Sequence, residues 1–237
     1  MRAPCDDERV TTLCRVWWAA PVAPEAAPHL VALLDAHEQD RIGRFRRPAD
    51  RARYLAAHAL TRLVLADAVG RAPDALVFDR TCRCGQQHGK PVLPGGPAFS
   101  FTHAGDMIGL AVHDGGPVGL DVEQVRTMSD LPGMARHVAS PAELGAAPLT
   151  ADAFFRTWTR KEALLKATGE GLSVPMSAIT LDDDGVRDWA EGAPDGPVWL
   201  HDLHPAPGYP AAVAGLGASA PAVVEADGNA VVAARAT

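Results

Sequence analysis

Lysine is nearly missing from this chain of 237 residues, which has only Lys90, Lys161 and Lys166. The basic residues are otherwise arginine, and the chain is rich in Ala, Gly and Pro, so the background disfavours lysine. A lysine kept against that background is worth following, because its ammonium is a compact point charge whose pKa shifts readily. Long apolar runs are missing too, and none approaches the length of a membrane span. A leader is not expected either: Asp6, Asp7 and Glu8 stand where a signal peptide carries basic residues and then an apolar core. We therefore expect a cytoplasmic protein with no membrane contact. Cysteine is sparse: Cys5, Cys14, Cys82 and Cys84 do not make a secreted disulfide framework in a chain this long. Positive charge is in deficit, with a net charge of −7, which excludes general nucleic-acid binding.

What is present is an ordinary globular balance, 47% hydrophobic and 22% charged, long enough to bury a core. Residues 51–69 read as a helix with Leu55, Ala59 and Leu63 as an apolar stripe, ended by Gly70 and followed by Pro73. Leu76–Phe78 then reads as a short strand. Residues 153–168 read as a second helix, ended by Gly169 and Gly171, with Pro175 next and a strand at 179–181. Helix, glycine, proline and strand thus occur twice in one order, and each half later has an apolar strand, at 108–112 and at 211–216. The pattern predicts an α/β (α+β) fold of two similar halves, 1–117 and 118–237, linked at Gly115-Gly116-Pro117. A site would lie in the cleft between them. Residues 192–197 and 204–210 read as loops.

Several segments could carry chemistry. In Val118-Gly119-Leu120-Asp121-Val122-Glu123 the two acids stand two apart, on one face of a strand. Paired carboxylate oxygens suit Mg²⁺, although an edge strand showing acids to solvent is the plainer explanation of this segment alone. On a helix, Trp158, Glu162 and Lys166 lie one turn apart on one face. Glu162 could bind a metal or take a proton, and Lys166 could neutralise charge at a breaking P–O bond. An i,i+4 pair beside a core tryptophan explains the same residues without chemistry. His103 ends a strand at a glycine turn, where it could meet a phosphate or a nucleotide ring. Arg41, Arg44, Arg46, Arg47, Arg51 and Arg53 crowd one stretch and favour phosphates or an acidic partner, or else a solvated helix face. Cys82-Arg83-Cys84-Gly85 with His88 lacks zinc-site spacing. Ser140-Pro141-Ala142-Glu143 reads as a capping box at a helix start.

Together, Gly89-Lys90-Pro91, Phe99 to Gly105, Gly119 to Glu123 and Trp158 to Lys166 resemble the 4'-phosphopantetheinyl transferase superfamily, in particular its Sfp-type members that serve peptide and polyketide synthases. The helix from Arg44-Phe45 to Arg62 and Gly171-Leu172-Ser173 share the likeness, which spans roughly residues 38–216. It implies a monomer of two α/β halves with coenzyme A in the cleft. It implies transfer of phosphopantetheine from coenzyme A to a serine of an acyl or peptidyl carrier protein, releasing adenosine 3',5'-bisphosphate. It implies Mg²⁺ held by Asp121, Glu123 and Glu162, with Lys166 on the pyrophosphate and Lys161 beside it. It implies Lys90, Thr102, His103 and either Arg41 or Arg53 toward the 3'-phosphate and adenine end. Glu162 is the candidate base. Ala104 lacks a hydroxyl that members often carry, and Glu38 stands where some have a basic phosphate contact. Glu143-like acids lie near the metal in some members. A phosphohydrolase would use the same acids to activate water, but no further acid or histidine is set aside for that water. A non-catalytic coenzyme A or carrier-binding module would be expected to have lost Asp121, Glu162 or Lys166. Residues 124–150 are expected to help form the carrier surface.

Overall fold

The computed structural model describes residues 12–82, 85–87, 89–145 and 149–234. Cys5, Asp6, Asp7, Glu8, Arg83, Cys84 and His88 lie outside the described residues. The first half holds strand β1 (Leu13–Ala19), helices α1 (Pro28–Val31), α2 (Ala36–Arg44) and α3 (Pro48–Val69), and the hairpin β2 (Ala98–Ala104) and β3 (Met107–His113). The second holds β4 (Val118–Val122), α4 (Leu131–Val138), α5 (Ala151–Thr168), the small hairpin β5 (Ile179–Asp182) and β6 (Gly185–Trp189), and the long hairpin β7 (Val198–Ala206) and β8 (Tyr209–Leu216). Strand β9 (Ala222–Asp227) and helix α6 (Gly228–Ala233) close the described chain.

Local chemistry explains the long helices. Asp35 caps α2 and Glu38 reaches back to the Asp35 N–H, a reciprocal capping box. Pro48 opens α3, where a missing N–H costs nothing. The Thr150 hydroxyl accepts from Ala153 N–H and starts α5. Both α3 and α5 end on left-handed glycines, Gly70 and Gly169, as their sequence positions predict.

The two halves stack as four layers. One sheet has the order β2-β3-β1-β9 and the other β4-β8-β7. Helix α3 covers the outer face of the first sheet, packing Leu55, Leu60 and Leu63 on Phe99, Ile108 and Leu110. Helix α5 covers the second, with Phe155, Ala163 and Leu164 on Ala212 and Ala214. Between the sheets, Cys14, Val16 and Ala111 of one face meet Leu120, Val122, Trp199 and Val213 of the other. Each fully buried leucine here is worth roughly 2 kcal/mol of transfer free energy. Burial also pushes the Cys14 thiol up to about 12, so it behaves as a small apolar side chain.

Three expectations are corrected. The second half does not keep residues 118–237 to itself: β9 returns to pair in parallel with β1, and α6 packs on the α3 core. Leu76–Phe78 is extended but joins no ladder, and among the described residues the only pairing nearby is the isolated Asp79–Val92 bridge. The reason is Arg62, whose Nη1 takes the Pro73 and Leu76 carbonyls at 2.9 and 3.1 Å. Leu76 and Phe78 bury and Val77 faces solvent, so the alternation of a strand is present without a strand's partner. Residues 204–210 are not a loop but the strand ends and tight turn joining β7 to β8, with Ala206 opposite Tyr209.

Candidate active site in the cleft

The site forms where β2 of the first half meets β4 of the second. In the β4–β8 ladder, Gly119 and Asp121 sit between partners, and Pro117 O and Glu123 N also pair with the β8 strand. That leaves the polar groups of Val118, Leu120 and Val122 turned toward β2. A backbone ladder does not satisfy them; side chains do. The Ser100 hydroxyl accepts from Leu120 N–H at 3.1 Å, and the Thr102 hydroxyl from Val122 N–H at 3.4 Å. Lys90 Nζ donates to Val118 O at 2.7 Å, and Lys166 Nζ to Leu120 O at 3.0 Å. Lys90 thus spans the joint, and Lys166 crosses it by donating to the Thr102 hydroxyl at 3.5 Å. A buried carbonyl or N–H without such a partner would cost about 1–3 kcal/mol.

Helix α5 comes close enough to join this because of Gly119. A β-carbon there would stand 2.0 Å from Ala163 O and 2.5 Å from Ala167 N. The closeness brings Lys166 Nζ to Asp121 Oδ1 at 2.6 Å, a bond shared with the Thr102 hydroxyl at 3.1 Å. Asp121 is 6% exposed, and its other oxygen, Oδ2, is buried with no hydrogen-bond partner. Burial raises the Asp121 pKa, and Lys166 opposes that rise. Glu162 is raised as well, first by burial and then by the charge of Asp121, with Glu123 adding to it. So Asp121, Glu123 and Glu162 share one locality, and their mutual repulsion is only partly offset by Lys166. Glu123 lies just past β4 and takes Arg126 Nη1 at 2.9 Å.

The remaining candidates divide. Lys90 joins the cluster: burial, then the charge of Lys166, bring its pKa down to about 8, and its Nζ also donates to Lys166 O at 3.0 Å. His103 stands at the β2–β3 turn, its pKa lowered by the surrounding protein and then by Arg53. Arg53 Nη1 donates to Gly105 O at 3.0 Å, holding that turn from the α3 side. On the opposite side, Tyr209 Oη accepts from Asp106 N–H at 3.1 Å. Arg41 lies on α2, its guanidinium 5.6 Å from the centre of the Phe45 ring. Of the other arginines in that stretch, Arg44 pairs with Asp40 and Arg51 with Glu25.

Lys161 is not brought to the cluster. It is fully buried on another side of α5, where its Nζ donates to Val138 O at 2.8 Å and Glu143 Oε2 at 2.5 Å. Glu143 also accepts from Ser140 N–H at 2.6 Å and Leu181 N–H at 2.8 Å, so its oxygens are committed away from Asp121. Only half of the expected capping box forms. The Ser140 hydroxyl has no partner, and residues 141–145 are turns rather than a helix.

Sequence reasoning did not single out Ser100, Arg126 or Tyr209. Ser100 had a readable signal, since it stands two before Thr102 and so shares its strand face. Tyr209 had none, because only the fold brings β8 against the β2–β3 turn.

Beside the joint opens a cavity of about 520 Å³, lined by Lys90, Pro91, Phe99, Phe101, Lys166 and Gly171 among others. The cavity has two lysines at its wall and lies next to the acid cluster, a charge arrangement that suits an anionic ligand. Comparison with known proteins agrees. Residues 117–214 match the family described as the 4'-phosphopantetheinyl transferase superfamily, and residues 18–114 match the one described as 4'-phosphopantetheinyl transferase, N-terminal. The chain is 33% identical over 168 residues to the 4'-phosphopantetheinyl transferase HetI of Nostoc sp., covering 66% of this chain and 69% of that one. It is 30% identical over 182 residues to a 4'-phosphopantetheinyl transferase of Bacillus subtilis, covering 72% and 76%.

The chain belongs to the 4'-phosphopantetheinyl transferase superfamily.

A more distant member, Sfp of Bacillus subtilis, is 24% identical over 209 residues, covering 84% of this chain and 89% of its own. The two family matches leave only residues 115 and 116 between them, at the bend that leads into β4. Among the described residues, no three His, Cys, Asp or Glu side chains are gathered closely enough to hold a metal as they stand. The donor chemistry nonetheless fits a hard divalent cation. Asp121 Oδ2 is an unpartnered buried oxygen, and Glu162 is raised by two neighbouring carboxylates.

Proposed function

We propose that this phosphopantetheinyl transferase moves the 4'-phosphopantetheine of coenzyme A onto a serine of an acyl or peptidyl carrier protein. The serine hydroxyl attacks the β-phosphorus, the P–O bond to the α-phosphate breaks, and adenosine 3',5'-bisphosphate leaves. The observation that carries the site assignment is the cluster of Asp121, Glu162 and Lys166 beside the cleft cavity, with one aspartate oxygen left unpartnered. Asp121, Glu123 and Glu162 would hold Mg²⁺, which when bound supplies charge neutralisation at the pyrophosphate. Glu162, whose pKa is raised, serves as the base for the serine proton. Lys166 neutralises charge on the leaving phosphate. Lys90, Thr102, His103 and Arg53 line the approach to the 3'-phosphate and adenine end, with Arg41 further along the same face. The cavity beside Pro91 and Phe101 is the right size and polarity for the nucleotide. Lys161 supports α5 from below through Glu143 and does not touch coenzyme A.

Residues 124–150 offer the carrier surface. Met134, Leu144 and Leu149 are exposed apolar residues there, at 37, 46 and 46%, with exposed Arg126 and Arg136 in the same segment. That mixture suits an acidic helical partner despite the net charge of −7. Arg136→Glu is expected to raise KM for the carrier and leave KM for coenzyme A alone.

The deciding test is the intact mass of an apo carrier incubated with the protein, coenzyme A and Mg²⁺. A gain of one phosphopantetheine, lost in chelator and in Glu162→Gln, supports the assignment. Coenzyme A binding without any gain across fatty-acid, polyketide and peptide carriers would mark a binding module instead. Hydrolysis of the pyrophosphate without a carrier would mark a phosphohydrolase.

A further inference from the structure

Lys90 stands on a segment that no sheet holds. Between the 3₁₀ turn at Pro73–Ala75 and the β2–β3 hairpin, the described residues of 76–97 make a single isolated bridge, Asp79 with Val92, whose backbones exchange bonds of 2.9 and 2.8 Å. One residue further in, Gly89 N–H donates to Arg80 O at 2.7 Å. The neck formed by these bonds is too narrow for a side chain at 89, where a β-carbon would lie 2.9 Å from Thr81 O and 3.0 Å from Arg80 O. Among the described residues of 79–92, no backbone hydrogen bond ties the neck to the body of the protein.

Arg80 does. Its side chain turns inward, stacks 5.5 Å from the centre of the Phe78 ring, and places Nη2 between two carboxylates, 2.8 Å from Glu38 Oε1 and 3.0 Å from Asp35 Oδ2. Those acids sit at the start of α2 and are locked to α3 by Arg62, through Nε to Glu38 at 2.7 Å and Nη2 to Asp35 at 2.7 Å, while His58 meets Glu38 at 2.9 Å. One residue therefore links a rigid anchor, through its side chain, to the neighbour of Lys90, through its carbonyl. We propose that Arg80 is a positioning residue for coenzyme A: it fixes the 79–92 neck to the α2–α3 anchor and so sets where Lys90 meets the ligand. The proposal rests on the reading of Lys90 as a coenzyme A contact.

The anchor itself does not need Arg80. Without it, Glu38 keeps Arg62, His58 and its cap, and Asp35 keeps Arg62. A structural role alone would lower stability and, through the folded fraction, the apparent kcat, leaving both KM values unchanged. A positioning role moves KM for coenzyme A and leaves KM for the carrier in place.

The test is a double-mutant cycle on the full chain with Arg80→Met and Lys90→Met, measuring KM for each substrate. Each single variant is expected to raise KM for coenzyme A about tenfold, the size of a lost charged hydrogen bond, with the carrier KM unchanged. The double variant is expected to match Lys90→Met alone, because Arg80 acts through Lys90. Arg80→Lys, which reaches one carboxylate rather than two, is expected to restore part of the loss. Multiplied single effects in the double variant, or a coenzyme A KM untouched in Arg80→Met, overturn the proposal. Should Arg80→Met fail to fold, Arg80→Gln takes its place in the same cycle under the same criteria. If Lys90→Met leaves KM for coenzyme A unchanged, the reading of Lys90 falls and takes the proposal with it. That failure is told apart from the failure of Arg80 alone by this single variant.

Discussion

Each half of the molecule contains a knot of charged side chains, and they are built on opposite plans. In the first half, Asp35 and Glu38 are matched by Arg62, Arg80 and His58. Arg62 is wholly buried with all three of its nitrogens engaged. Burial disfavours the Glu38 carboxylate, but His58 and then Arg62 outweigh it and bring its pKa down to about 2. In the second half, Lys166 pairs with Asp121 and Arg126 with Glu123, one aspartate oxygen has no partner, and the Asp121 and Glu162 pKa values go up. A balanced knot stabilises the fold. An unbalanced one is held in place by the fold and is ready for a cation or a proton. The comparison teaches how to sort buried charge: the sign of the pKa shift, read with the partner count, separates the two uses.

The contrast can be broken most sharply at Glu162. Glu162→Gln should lower turnover about 10²–10⁴-fold, the span of a lost general base, without lowering the melting temperature measured in chelator. A parallel loss of stability would mean that the acid cluster is structural after all. Next comes Arg62→Met, which takes one of two arginines from Asp35 and Glu38 and leaves the Pro73 and Leu76 carbonyls without it, and should cost about 3–5 kcal/mol in denaturant unfolding, with kcat per folded molecule unchanged. A smaller difference appears with pH, and the halves should respond with opposite signs. Glu38, lowered from 4.5 to about 2, contributes stability above 4.5 that is lost as pH falls through 2. Glu162, raised above 4.5, costs stability at neutral pH, and that cost is relieved as pH falls through its folded value. Melting curves in chelator should therefore rise or flatten from neutral pH toward 4.5 and then fall. Glu162→Gln should remove the first feature and Glu38→Gln should blunt the second. The smallest effect is that of Mg²⁺, which should raise the melting temperature of the wild type by about 2–4 °C per kcal/mol of binding free energy gained and that of Asp121→Asn by less.

Much of this plan could be read before the fold was known, and the reasons are local. Helices α3 and α5 announce themselves by period, proline and glycine, because caps and apolar stripes act within a few residues. Asp121 with Glu162 and Lys166 was legible as three pieces, since strand and helix periodicity place each side chain on a known face. Lys161 shows the limit. It adjoins Glu162 in the sequence, but one helical step is about 100°, which turns it into the core toward Glu143. Leu76–Phe78 shows another. Its alternation is that of a strand, yet whether a ladder forms depends on what its backbone meets, and Arg62 from α3 takes the Leu76 carbonyl. Glu38 looked like a lost phosphate contact and is instead the centre of the balanced knot, a role visible only once Arg62, Arg80 and His58 converge.

The joint between β2 and β4 has a consequence for how such a protein changes over time. In an ordinary sheet the rungs are peptide groups, and apart from proline no codon change can delete one. Here the rungs are the hydroxyls of Ser100 and Thr102 and the ammonium of Lys90, with Lys166 reaching across to Thr102. Each can be shortened, lengthened or erased by one substitution. At this joint, unlike the β1–β9 ladder, attachment is thus heritable residue by residue, and descendants could loosen or tighten it without redesigning either half.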